Sequence, residues 1–222
     1  MKYLTVSTIG LILICLLLVC GAFAQNKKAI SADEFNRIEV AAKSFLSNNP
    51  FSYVEVSEWK NRKTSKITSK TETTVKVIPP SRSYRRTQST ENGKLSIFEE
   101  IVIGSTKYRS NGDGQWAASG AVTTSPLFSM TPDASGESYY FVGDEMVNDI
   151  KARVFLKERK STYRFEGSTK DQVETYTKRI WVGPAGEYRK TTSSLNNGPE
   201  SDNETITQYT FPKELIIVAP MK

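Results

Sequence analysis

Residues 150–157 run Ile150-Lys151-Ala152-Arg153-Val154-Phe155-Leu156-Lys157. Ile150, Ala152, Val154 and Leu156 alternate strictly with Lys151, Arg153, Phe155 and Lys157. A period of two is the mark of a β-strand with one mostly buried and one mostly wet face. The same period recurs to either side. Upstream, Val54 and Val56 alternate with Glu55 and Ser57, Val75 and Val77 flank Lys76, and Tyr84 follows the Pro79-Pro80 break. Residues 96–103 are β-rich on both faces, and 139–142 form a short apolar run. Downstream, Tyr176, Ile180 and Val182, then Tyr188 and Leu195, then residues 206–211 and 215–218 continue the series. Between them Glu91-Asn92-Gly93-Lys94, Asn111-Gly112-Asp113-Gly114, Gly183-Pro184-Ala185-Gly186 and Asn196-Asn197-Gly198-Pro199 supply the positive-φ residues that hairpins need. Turns this short imply an antiparallel meander rather than alternating strand–helix–strand units.

One helix precedes the strands. Ser31-Ala32-Asp33-Glu34 forms a capping box, and Phe35, Ile38, Ala42, Phe45 and Leu46 recur as one apolar stripe. Asn48, Asn49 and Pro50 end it. No internal repeat or linker interrupts the chain, so residues 25–222 are expected to be one domain. Eight to eleven strands against one helix leave apolar β-surface uncovered. A sandwich, a closed barrel or a strongly curved sheet wrapped around the helix would each solve that problem.

The first residues have the grammar of an export signal. Lys2 is the positive n-region, residues 9–19 are the apolar core, and Ala22-Phe23-Ala24 is a small-x-small cleavage site. Residues 1–24 are therefore expected to be a cleaved signal peptide and the mature chain periplasmic or otherwise extracytoplasmic. An uncleaved membrane anchor and lipidation at Cys20 are the alternatives, the latter disfavoured by the bulky Val19 before it. Asn203-Glu204-Thr205 is a lone glycosylation sequon and carries little weight.

Composition removes most chemistry. The 222 residues contain no histidine, and both cysteines, Cys15 and Cys20, lie in the leader. Histidine-dependent triads, histidine metal sites, disulfides and cysteine zinc sites are thus excluded from the mature chain. Ser57-Glu58-Trp59-Lys60 and Ser201-Asp202-Asn203 match two serine-enzyme motifs. However, the first sits in a strand pattern instead of a helix start, and the third element is missing. Glu99 and Glu100 are adjacent in a strand, point to opposite faces, and cannot flank one bond. Residues 111–114 lack the later carboxylate of a calcium loop. No phosphate loop is present, and no cofactor is expected.

Taken in order, several segments carry a resemblance: Glu99-Glu100-Ile101-Val102-Ile103-Gly104, then Lys107-Tyr108 and Gly114-Gln115-Trp116. Residues 140–149, Tyr-Phe-Val-Gly-Asp-Glu-Met-Val-Asn-Asp, lead into Lys151-Ala152-Arg153-Val154-Phe155. Trp181-Val182-Gly183-Pro184 precedes Gly186-Glu187-Tyr188-Arg189-Lys190, and the chain closes on Leu215-Ile216-Ile217-Val218-Ala219-Pro220. This order, over roughly residues 30 to 220, resembles the LolA/LppX-like outer-membrane lipoprotein carrier superfamily of envelope proteins. Asp149 stands where that pattern favours glycine, and one helix is evident where such folds place two or three. The resemblance implies an α+β, mostly antiparallel β fold: a strongly curved half-barrel sheet with the N-terminal helix against its concave face. It also implies a non-enzymatic role, with a lipid or lipoprotein acyl chain as partner.

Candidates for the apolar cleft are Ile101, Ile103, Tyr140, Val142, Ile150, Val154 and Leu156, with Leu127, Phe128 and Met130 as a lid. Ordinary core packing is the competing reading of each. Charge adds a second feature. The formal net charge is +6, and the excess is local: Lys60, Arg62, Lys63, Lys66, Lys70, Lys76, Arg82, Arg85 and Arg86 stand against Glu72 alone. Such a ribbon would favour an anionic membrane surface, or it is a solvated hairpin whose charges discourage edge pairing. Nucleic acid is not expected as a partner, given the export signal and the absence of interleaved aromatics. A monomeric lipid or lipoprotein carrier is the first expectation. A structural or interaction module of the envelope, binding a protein or anionic polymer, is the second, and a hydrolase with an unfamiliar carboxylate site or a Ser-Lys site at Ser57 and Lys60 is the third.

Overall fold

The computed structural model describes residues 27–121, 136–163, 172–197 and 201–220. Residues 1–26 and the lid candidates Leu127, Phe128 and Met130 lie outside them. The chain opens with β1 (Lys28–Ala29) and α1 (Ala32–Asn48). It continues through β2 (Phe51–Asn61), β3 (Ile67–Ile78), β4 (Arg82–Glu91), β5 (Lys94–Ile103), β6 (Thr106–Ser110) and β7 (Ala117–Ala121). A second series comprises β8 (Glu137–Val147), β9 (Ile150–Tyr163), β10 (Gln172–Val182), β11 (Tyr188–Asn197) and β12 (Ser201–Thr210). Strands β2–β12 fill the expected count. The two-residue β1, too short for any periodicity to signal, adds a twelfth.

All strands belong to one antiparallel sheet, in the order β1-β8-β9-β10-β11-β12-β2-β3-β4-β5-β6-β7. Two meanders, β2–β7 and β8–β12, are joined where the last strand pairs with the first long one, so that Tyr209 opposes Tyr53. The edges, β1 and β7, do not meet, and the sheet is an open, curved half-barrel.

Local chemistry explains the punctuation. Ser31 Oγ accepts from the Glu34 amide at 3.1 Å, half of the expected capping box. At the other end the side-chain amides of Asn48 and Asn49 donate to the carbonyls of Ser44 and Phe45, at 2.8 and 2.9 Å, satisfying last-turn acceptors. Asn92 and Gly93 both have positive φ, +49° and +76°, as a two-residue hairpin turn between β4 and β5 requires. The β8–β9 turn uses Asn148 and Asp149 in the same way, at +50° and +61°. Asp149 thus occupies a glycine-like conformation that a short polar side chain tolerates.

Helix α1 lies across one face of the second meander, here called the inner face. Phe35 and Ala42, both fully buried, pack with Phe155, Ile180, Val182 and Tyr188, and Ile30, Ile38, Leu46, Tyr139, Phe141 and Tyr209 surround them. The opposite, outer face carries a second buried cluster of Val142, Ala152, Val154, Leu156 and Trp181, with Tyr140 and Val147 against it. Beyond α1 the inner face of β12 and β2–β4 turns polar. Thr71 hydrogen-bonds Ser89 at 2.6 Å, Thr73 bonds Thr87 at 3.3 Å, and Asn203 and Thr205 each donate to Ser57 Oγ at 3.0 Å. The anticipated surplus of apolar β-surface is therefore smaller than the strand count implies, because much of the uncovered sheet is hydroxyl-lined.

Candidate functional site: a cavity between the helix and the sheet

A cavity of about 700 Å³ lies between α1 and the β8–β10 end of the inner face. Ile38 and Ala41 line it from the helix, and Phe141, Phe155 and Val182 from the sheet. The Gly183-Pro184-Ala185-Gly186 turn closes one side, and Asp144, Lys151 and Arg153 are its charged residues. The helix stripe produces this space. Phe35 and Ala42 reach the sheet, while Ile38 and Ala41, on neighbouring positions of the same turns, do not fill the gap over the β8–β9 hairpin.

The polar groups around it are ordered. Lys151 Nζ sits 2.8 Å from Asp144 Oδ2. The Arg153 guanidinium carbon lies 5.3 Å from the Phe141 ring centre and 5.0 Å from that of Phe155, a stacking attraction between cation and ring faces. Deeper under α1, Lys178 pairs with Glu39 of the helix, and Lys157 with Glu137 at 2.7 Å. The Tyr139 hydroxyl also donates to Glu137. Burial works against ionisation of Glu137, but the hydrogen bonds from Lys157 and Tyr139 outweigh it and hold the carboxyl below the usual carboxylate range. Burial and the same carboxylate push Tyr139 up to about 12.

A pH prediction follows from the sign of the Glu137 shift. A depressed folded pKa contributes stability above the unfolded value of about 4.3, and that contribution is lost as pH falls through the folded one. Urea midpoints are expected to drop below about pH 4.3, with a shallower pH dependence in Glu137→Gln. Identical profiles for the two proteins would contradict the role given to Glu137.

The expected cleft residues lie on the other face of the sheet. Tyr140, Val142, Ile150, Val154 and Leu156 belong to the outer face, across the sheet from α1 and the cavity. Ile101 and Ile103 also project outward, in register with Tyr84 and Arg82. The inner face carries the supposedly wet set, Arg153, Phe155 and Lys157, together with Tyr139 and Phe141. Two causes combine. The second meander buries both faces, and a bulge between Phe141 and Gly143 inserts Val142 into the alternation. The aromatic signal was present, but basic neighbours stacked over those rings masked it.

Several members of the basic ribbon are paired within the protein. Arg62 is bidentate to Asp202, with contacts of 2.7 and 3.2 Å. Lys60 pairs with Glu58 and Glu204, Lys70 with Glu58, and Arg86 with Glu99. Lys76 stands over the Tyr84 ring, and Arg85 turns to the inner face beside Tyr53. Among the described residues, Lys63, Lys66 and Arg82 have no ion-pair partner. Ser57 and Lys60 project to opposite faces, so the paired-motif reading has no dyad. As adjacency requires, Glu99 accepts from Tyr84 on one side, and Glu100 pairs with Lys107 and Arg109 on the other. No group of three or more potential metal-ligating side chains is found among the described residues.

The open antiparallel half-barrel, the helix on its concave face and the space between them decide the architecture. This is the half-barrel-and-helix architecture that the sequence resemblance implies. Similar solved structures include LprF from Mycobacterium bovis, at 10% identity over 88% of this chain and 100% of that one, with a TM-score of 0.49. A LolA superfamily protein from Nitrosomonas europaea aligns at 11% identity over 85% and 96%, TM-score 0.32. A putative outer membrane lipoprotein-sorting protein domain from Vibrio parahaemolyticus aligns at 12% identity over 81% and 93%, TM-score 0.28. No protein-family model matches the chain, and neither does any curated protein sequence.

Within this fold, the Gly183–Gly186 turn has a physical reason. A Cβ on Gly183 would stand 2.2 Å from the Glu187 carboxylate, and Gly186 has φ +85°. The hairpin motif noted in the sequence is thus the housing of a buried acid.

Proposed function

We propose that the protein is a non-enzymatic carrier that holds an acyl chain of a lipid or lipoprotein in the cavity between α1 and β8–β10. The observation that carries this reading is the cavity itself, about 700 Å³ walled by Ile38, Ala41, Phe141, Phe155 and Val182. Its size falls within the ~300–1,000 Å³ of small-molecule pockets. Removing a chain from water supplies about 0.8 kcal/mol per buried methylene, and no reactive side chain is needed. The leader grammar of residues 1–24 supports a site of action outside the cytoplasm. Lys63, Lys66 and Arg82 would then be available to an anionic membrane surface.

Titration of a fluorescent sixteen-carbon fatty acid tests the reading. The wild-type protein is expected to bind one equivalent. Ala41→Trp, which fills the mouth from an exposed helix position, is expected to lose at least about tenfold in affinity without a change in thermal unfolding. Equal binding by both proteins would remove the cavity from the account, and no binding by either would favour a scaffold role for the sheet.

A further inference from the structure

The geometry points to Arg153 as a head-group anchor that makes the cavity selective for amphiphiles bearing a carboxylate or phosphate. This rests on the acyl-chain reading above and adds to it the chemical class of the head. Six cations of β9–β11 turn toward the inner face or its turns: Lys151, Arg153, Lys157, Arg159, Lys178 and Arg189. Five have carboxylate partners, namely Asp144, Glu137, Glu174, Glu39 and Glu187 for Lys151, Lys157, Arg159, Lys178 and Arg189. Arg153 alone has none among the described residues, although Asp144 is its direct cross-strand neighbour. Asp144 is committed to Lys151 instead.

Arg153 is also held in place. Its guanidinium rests on Phe141 and Phe155, the two rings that wall the cavity. Contact with the rings takes up none of its hydrogen-bonding capacity, so its N–H groups can meet a planar or tetrahedral anion with two parallel hydrogen bonds. With two basic residues and one acidic one on the lining, the cavity carries a net positive charge. An amphiphile placed with its chain along Ile38 and Val182 brings its head to that edge.

Displacement of a polarity-sensitive dye from the purified protein separates the alternatives. The probes are palmitate, palmitoyl-lysophosphatidate, the neutral monopalmitoylglycerol, and inorganic phosphate. Both anionic amphiphiles are expected to bind roughly tenfold tighter than the neutral one, and phosphate alone is expected not to displace the dye. Arg153→Gln should shrink the preference to below about twofold by weakening both anionic amphiphiles far more than monopalmitoylglycerol; Arg153→Lys should retain part of it. Equal affinities for charged and neutral amphiphiles, or a preference that survives Arg153→Gln, would overturn the anchor and leave the acyl-chain reading standing. Displacement by inorganic phosphate at the same concentrations would reassign Arg153 to a free-anion site and overturn the head-group role. Failure of all three amphiphiles would overturn both readings.

Discussion

Phe35→Ala is expected to cost about 3–5 kcal/mol, the usual range for deleting a fully buried aromatic ring. Phe35 has no exposed surface, and its ring centre lies 5.1 Å from that of Tyr139. It is one of only two fully buried residues through which the seventeen-residue helix grips the sheet, and Ala42 is too small to hold it alone. Isolated helices of this length are marginal in water, so α1 owes its stability to that docking. The effect should reach function too, because α1 is one wall of the cavity. Urea denaturation gives the energy, and fatty-acid binding in the same variant gives the functional cost. A loss below about 1 kcal/mol would mean that the helix is held elsewhere.

Glu187→Ala is expected to cost about 3 kcal/mol, toward the lower end of what removal of one partner from a buried ion pair costs. The Glu187 residue is 1% exposed. Its carboxylate accepts from Arg189 through both Nε, at 2.7 Å, and Nη2, and from the Ala185 amide at 2.9 Å. Its own carbonyl accepts from the Gly183 amide at 2.8 Å, tying the β10–β11 turn together. Removing the acid leaves Arg189, which also lies over the Phe211 ring, and one turn amide without their acceptor. Glu187→Gln should lose less, since it preserves the shape and one acceptor. A Glu187→Ala protein as stable as wild type would show that the turn is held by its backbone alone.

Much of this architecture was legible from local signals. The helix emerged at its full length because Ser31 marks its start and Asn48, Asn49 and Pro50 its stop. Glu91 to Lys94 announced a hairpin with Asn92 and Gly93 in the left-handed region. The β8–β9 turn was missed because Asn148-Asp149 contains no glycine, although asparagine and aspartate accept that conformation. Which face of the sheet the helix covers was not legible. Alternation divides residues into two sets, and hydrophobicity then names the inner one, but that rule fails where both faces are buried. In β9 the greasier set, Ile150, Ala152, Val154 and Leu156, faced outward. Phe155 belongs to the core under α1, but it sits in sequence between positively charged neighbours whose side chains cover aromatic rings. Nor could the pairing of β12 with β2 be inferred, since no short turn links them.

The most direct test of the central claim is photo-crosslinking with a diazirine-bearing palmitate, with adducts mapped to single residues by mass spectrometry. Adducts are expected at Ile38, Ala41, Phe141, Phe155 and Val182, in competition with unlabelled palmitate. Labelling confined to outer-face residues such as Leu156 and Trp181, or spread over the surface without competition, would contradict a guest chain between helix and sheet.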